Sequence, residues 1–405
     1  MKQTVLLVHN FYRSANPSGE NQVFQIEKEL LKNNLHRVYT FTKKSDMLVA
    51  SKIQGLITGA LATPWNPLAY KEIRRCIKAC EPDVVHAHNT FPLLSPSIFW
   101  GIGELAPKVL TLHNYRLFCP AAIPMRNGKV CTECLDSYSA WPALRHGCYR
   151  GSIAASIPLA LSVELHRRMG TWKTQVDAFI ALSEFQKEIM CQAGLPKEKV
   201  FVKPNFYPGN PTVTPWSARN DSVVFAGRLS PEKGVYSLLK AWLAWGKEAP
   251  ELCIMGDGPD RCSLENLAKS SPCNIKFLGQ IAPEEAQKKM AKAKMLVLPS
   301  ECFETFGLVV IESYAFGTPT AVANIGALPS IVKDGVNGLV FEPANPESLL
   351  ATIKKAWKNQ CLLEKLGREA RKSFETSYTE KVNYQILMEI YQHAIENHKR
   401  RVTAQ

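Results

Sequence analysis

The stretch that decides the fold runs Pro299-Ser300-Glu301-Cys302-Phe303-Glu304-Thr305-Phe306-Gly307-Leu308-Val309-Val310-Ile311-Glu312-Ser313. It follows the apolar run Met295-Leu296-Val297-Leu298, so it reads as strand, loop, helix. Glu304 falls in the loop, and Glu312 falls eight residues later, about two turns into the expected helix. Phe306-Gly307-Leu308 places backbone N–H groups at the helix start, with a small residue that lets a phosphate approach. Two carboxylates flanking a phosphate nest suit a nucleotide sugar: carboxylates accept from hydroxyls, and amides donate to phosphate.

The same alternation extends outward on both sides. Ser222–Gly227, Leu252–Gly256 and Ile275–Gly279 read as buried strands, separated by helices such as Val235–Trp245 and Pro283–Ala293. The first half repeats the pattern through Val5–Val8, Val38–Phe41, Asp83–His88, Val109–Leu112 and Ala178–Ala181. Between the halves, Lys203–Pro211 is rich in Pro, Gly and Asn and reads as a linker. The expected fold class is α/β, with two Rossmann-like doubly wound domains facing a central cleft: 1–205, 216–378, and a C-terminal helix within 379–405. Ligands of such sheets bind beyond the carboxyl ends of the strands.

At one such end lies Gly227-Arg228-Leu229-Ser230-Pro231-Glu232-Lys233-Gly234, just before a helix. Arg228 and Lys233 then add two cations to a helix N-terminus, an anion site. Gly256-Asp257-Gly258-Pro259 is only a turn by sequence, and no G-x-G-x-x-G fingerprint is present.

These residues resemble the family-4 retaining glycosyltransferases of the GT-B architecture. The resemblance rests on Glu304-x7-Glu312, on the Gly227–Gly234 loop, on Gly317-Thr318-Pro319 and on Asp334-Gly335-x-Asn337-Gly338. It implies that Arg228 and Lys233 bind the donor diphosphate, that Glu304 binds donor-sugar hydroxyls near the Phe306, Gly307 and Leu308 amides, and that Glu312 holds the ribose. It further implies that the first domain binds the acceptor, that the loop His9–Gly19 approaches the donor phosphates, and that His113 lies against the donor sugar. Asn114 stands where many relatives carry Asp. The partners implied are a nucleoside-diphosphate sugar and a glycan or lipid-linked acceptor.

Composition bounds the alternatives. The 405 residues suit two or three domains, and 46% hydrophobic with 21% charged residues suits a globular chain. The longest charge-free run, Ile53–Tyr70, is broken by Pro64 and Pro67, and Gly151–Val163 is short and carries Pro158, so neither reads as a membrane span. The charge of +13 favours an anionic partner. Nucleic acid is disfavoured, because basic residues interleaved with aromatics are not found. A transferase to a small soluble acceptor stays open, and a silent scaffold is disfavoured by the full set of donor residues.

None of the eight aspartates stands two residues from another, so no Asp-x-Asp metal motif exists and no catalytic metal is expected. Cys119, Cys131, Cys134 and Cys148 have spacings compatible with a structural zinc site and equally with free thiols. Twelve cysteines without an export signal suggest a reduced, cytoplasmic setting. Arg145–Lys173 has an apolar centre between cations, which reads either as a core helix or as a peripheral contact with an anionic membrane face.

Overall fold

The computed structural model describes residues 2–11, 18–46, 52–269 and 271–403. The chain divides into two compact units. One comprises Met1–Pro124, Cys131–Pro204 and Tyr384–Gln405; the other comprises Met125–Val130 and Asn205–Asn383.

The first unit is built on a six-stranded parallel sheet of β1 (Thr4–Phe11), β2 (Arg37–Lys44), β3 (Val84–Asn89), β4 (Lys108–Thr111), β7 (Ala178–Ala181) and β8 (Val200–Val202), in the order β2-β1-β3-β4-β7-β8. Central strands of such a sheet are covered on both faces and therefore read as unbroken apolar runs. Val5 to Val8 are fully buried, whereas edge strand β2 alternates and keeps Arg37 and Tyr39 outside. The core joins Val5, Leu7, Phe24, Val84 and Val109 to Leu387, Ile390, Tyr391 and Ala394 of the C-terminal helix Glu380–Thr403. In sequence between β4 and β7 come a short hairpin grouped with the second unit, β5 (Met125–Arg126) and β6 (Lys129–Val130), and then the first unit's helix Ile153–Arg168. That helix runs through Pro158 without ending.

The second unit carries β9 (Asn220–Ala226), β10 (Glu251–Met255), β11 (Ile275–Gly279), β12 (Ala293–Leu298), β13 (Thr320–Ala323) and β14 (Gly338–Phe341). All pair in parallel, in the order β11-β10-β9-β12-β13-β14. The order reverses between β9 and β12 in this sheet and between β1 and β3 in the first. At each reversal adjacent loops leave in opposite directions and open a crevice at the strand ends. No described helix is long and apolar enough to cross a membrane.

Candidate functional site

In the second unit the loops after β9 and β12 meet at that crevice. Gly234 holds φ 64°, and a Cβ there would lie 1.9 Å from the Pro299 carbonyl oxygen, so only glycine lets the two loops touch. The Glu301 amide donates to the Glu232 carbonyl at 2.9 Å, and the Ser237 hydroxyl to the Glu301 carboxylate at 2.6 Å. This contact brings Lys233 Nζ to 2.5 Å from Glu304 Oε1, which also accepts from the Ser300 hydroxyl at 2.7 Å. Burial opposes ionisation of Glu304, but the Lys233 ammonium and the hydrogen bonds from Lys233 and Ser300 outweigh it, and the carboxyl lies below its usual range. Burial likewise opposes charge on Lys233, and Glu304 overrides it upward.

The turn after β10 supplies a further support that its sequence signal understated. A Cβ on Gly256 would lie 1.8 Å from the Gly227 carbonyl oxygen, so backbone rests on backbone. The Gly227 amide donates to Met255 and the Leu229 amide to Asp257. Arg228 stays exposed on this clasped loop and acts electrostatically on Asp260. Arg228 and Lys233 therefore share one loop but have different neighbours. The loop after β13 also joins the site, because the Ala327 amide donates to the Glu304 carbonyl at 3.2 Å, a contact that no sequence motif marks.

The helix Leu308–Ala315 starts from Gly307, and Phe306 is buried against Tyr378. Glu312 thus lies little more than one turn in, a shorter distance than the two turns expected from spacing. Burial and then the Glu312 charge push the Tyr207 phenol up to about 12, which places Glu312 beside Tyr207. The two glutamates have separate neighbours: Glu304 has Lys233 and Ser300, and Glu312 has Tyr207.

The first unit brings together a polar cluster that the sequence showed only in part. Gly19 opens the helix Gly19–Asn33, capped by Ser18; residues 12–17 of the expected phosphate loop lie outside the described residues. His113 follows β4 and stacks on His88, with Nε2 3.0 Å from His88 Nδ1. His88 Nε2 lies 3.2 Å and His86 Nδ1 2.9 Å from Glu27 Oε1, and Lys203 Nζ lies 2.9 Å from Glu27 Oε2, all essentially without solvent. Burial, then His86, lowers His88 to about 4, and burial, then His88 and His9, holds His113 well below the usual histidine range. Both imidazoles are neutral. The His88 Nδ1–His113 Nε2 contact joins the two rings by one shared proton. Nearby, the Asn89 amide donates to Glu20 at 2.9 Å. Burial raises Glu20, opposed by Arg116 and by hydrogen bonds from Asn114 and Asn89. His88, Asn89, His113, Asn114 and Arg116 border one cleft.

Glu27, His86 and His88 are the described group whose ligand atoms lie within 4.8 Å of one another. Lys203 already supplies the positive charge there, and a dication would add an unbalanced buried charge. Among the described residues, no three of the sulfurs of Cys119, Cys131, Cys134 and Cys148 reach that spacing. They are still neighbours: burial, then Cys134, pushes the Cys119 thiol up to about 12, and Cys148 and Cys131 add to the burial that raises Cys134 to about 11.

Comparison with known proteins places this geometry. Residues 212–373 match the family described as glycosyl transferases group 1, and residues 19–208 match glycosyltransferase family 4. An uncharacterized glycosyltransferase of Methanocaldococcus jannaschii is 32% identical over 42% of this chain and 45% of its own. The chain spans less than half the length of the first curated relatives it matches. A Rickettsia africae glycosyltransferase structure superposes with TM-score 0.69 at 16% identity, covering 98% of this chain and 99% of that one. Anabaena HepE in complex with UDP-glucose gives 0.66 at 20%, covering 96% and 100%. The fold is that of these structures, and with both halves matched the chain belongs to the family-4 glycosyltransferases of GT-B architecture.

Proposed function

We propose that the chain transfers a sugar from a nucleoside-diphosphate sugar to a hydroxyl of a glycan or lipid-linked acceptor, with retention at the anomeric carbon, at the cytoplasmic face of a membrane. The observation that carries the reading is the Lys233–Glu304 pair at the switch point of the second sheet. When the bond between the anomeric carbon and the β-phosphate oxygen breaks, negative charge collects on the departing diphosphate. An ammonium has three donors, so Lys233 keeps Glu304 and still reaches a phosphate oxygen. Arg228, exposed on the same loop, adds a second cation. Glu304 accepts from sugar hydroxyls, the Gly307–Leu308 amides donate to phosphate, and Glu312 accepts from the ribose. His113 lies against the donor sugar. The UDP-glucose bound by the Anabaena relative supports this class of donor.

Cations and amides in this role replace a metal as the electrophile. Transfer is expected to survive a chelator; loss with chelator and recovery with Mg²⁺ would contradict the metal-free reading. Steady-state transfer against a panel of nucleotide sugars tests the whole assignment. Lys233→Ala and Arg228→Ala should each lower kcat by about 10²–10³-fold. Full activity in the double variant, or an inverted product by NMR, would overturn it.

A further inference from the structure

The two apolar stretches that are each unfit to span a bilayer fold side by side in the first unit. The helix Lys52–Ala62 enters the charge-free run, and it packs against the helix Ile153–Arg168. The Ser162 hydroxyl donates to the Thr63 carbonyl at 3.2 Å, and His166 Nε2 to the Pro64 carbonyl at 2.8 Å. Both helices turn large aliphatic side chains outward. Ile57 is 56% and Leu61 72% exposed, at i and i+4. Ile153, Ile157 and Leu161 are 58%, 41% and 43% exposed, at i, i+4 and i+8. The opposite side of the second helix is apolar as well, with Leu159, Ala160 and Val163 buried. A helix apolar on both sides is normally covered on both, and a contiguous exposed aliphatic patch marks an interaction surface.

Its charge says what covers it. From Arg145 to Lys173 there are five Lys or Arg residues and one acid, Glu164. Glu164 is buried and bonded to the Ala140 amide and to Arg167. Arg145, Arg150, Arg168 and Lys173 are exposed. A second copy seated across a two-fold axis would set these cations against their own kind, and aliphatic side chains give nucleic-acid bases nothing to stack on. We propose that this face docks on an anionic lipid bilayer, the aliphatic stripes entering the interface and the arginines meeting the headgroups. Trp141, 43% exposed beside the short helix Pro142–Arg145 that packs on the same long helix, fits the headgroup level. The inner side of that helix lines the cleft beside His113 through Leu159 and Val163, so docking would present the cleft to a lipid-linked acceptor. That last link rests on the transferase reading; the docking does not.

The test is co-sedimentation of the full chain with phosphatidylcholine vesicles, with and without phosphatidylglycerol. Binding should require the anionic lipid and fall as salt rises. Leu61→Gln with Ile157→Gln and Leu161→Gln should weaken it at least about tenfold, as should Arg150→Glu with Arg168→Glu. These positions are exposed, so thermal unfolding and calorimetric binding of nucleoside diphosphate should stay at the wild-type values. Equal binding to both vesicle types, no binding to either, or binding untouched by the variants would overturn the proposal. Self-association in the ultracentrifuge that the Gln variants abolish would assign the face to a second copy instead. Loss of nucleotide binding in the wild type would strike the donor reading and leave the vesicle result standing.

Discussion

Replacing Lys203 by methionine should destabilise the first unit far more than an ordinary lysine substitution. Its ammonium lies 2.9 Å from Glu27, with side-chain exposures of 2% and 0%. Methionine keeps most of the apolar stem but leaves the carboxylate without its counter-charge. Burial alone would raise Glu27; Lys203 is the largest influence that reverses this, ahead of His86 and His88. Breaking a buried pair from one side costs about 3–5 kcal/mol, against about 5–15 kcal/mol for the stability of a typical domain. Removing both charges removes the desolvation cost too, so Lys203→Met with Glu27→Gln should recover most of the loss. The pH dependence has a definite sign. In the wild type Glu27 has a depressed pKa, so its contribution is present above about 4.5 and is lost as pH falls below that. In Lys203→Met the carboxyl takes up a proton in the native state, so the deficit against wild type should narrow as pH falls. Urea denaturation at pH 7 and pH 5 measures both effects. A single variant within about 1 kcal/mol of wild type, or a double variant as unstable as the single, would refute the reasoning.

Three further outcomes are expected. His9, His88 and His166 are each lowered to about 4, chiefly by burial, so the unfolded chain takes up protons from about pH 6.5 downward while the native state does not. Each should cost about 1.4 kcal/mol per pH unit between those values, and a urea midpoint flat from pH 7 to pH 5 would contradict this. Glu304→Gln frees Lys233 from its partner, so transfer should collapse while nucleoside-diphosphate affinity holds or rises, whereas Glu312→Ala should weaken that affinity; calorimetry reporting the reverse pattern would reject the assignment. If the four cysteines hold zinc, about one per chain should co-purify, and Cys131→Ser with Cys134→Ser should lower stability. Metal analysis without zinc in chelator-free preparations would remove the idea.

The sequence made most of the two sheets legible because their central strands are short apolar runs bounded by turn residues. It missed β8, β13 and β14. Thr320-Ala321-Val322-Ala323 and Gly338-Leu339-Val340-Phe341 are only four residues each and hold strand formers mixed with Ala and Gly, too short a run to stand out by pattern. They are strands because β12 and its neighbours offer a ladder. Pro158, which counted against a membrane span, does not end the helix: it removes only one donor, and Leu159, Ala160 and Val163 bury the turns that follow.

The site was legible as positions and illegible as pairings. Strand ends and glycine-bearing loops told where Lys233 and Glu304 fall, but their contact spans 71 residues of sequence. Residue spacing treated Lys233 as an anion-binding cation and Glu304 as a hydroxyl acceptor. Their salt bridge holds both in the ionised form although each is half-buried, so neither role is independent of the other. His86 and His88 offered a readable signal, since alternate residues of a strand share a face. What the pattern does not show is Glu27 beside both rings, held ionised chiefly by Lys203, which reaches it across 176 residues. Periodicity can place such groups on a face, but only the folded sheet brings a carboxylate, an ammonium and two imidazoles to one dry spot, where each pairwise contact is strengthened by the low dielectric around it.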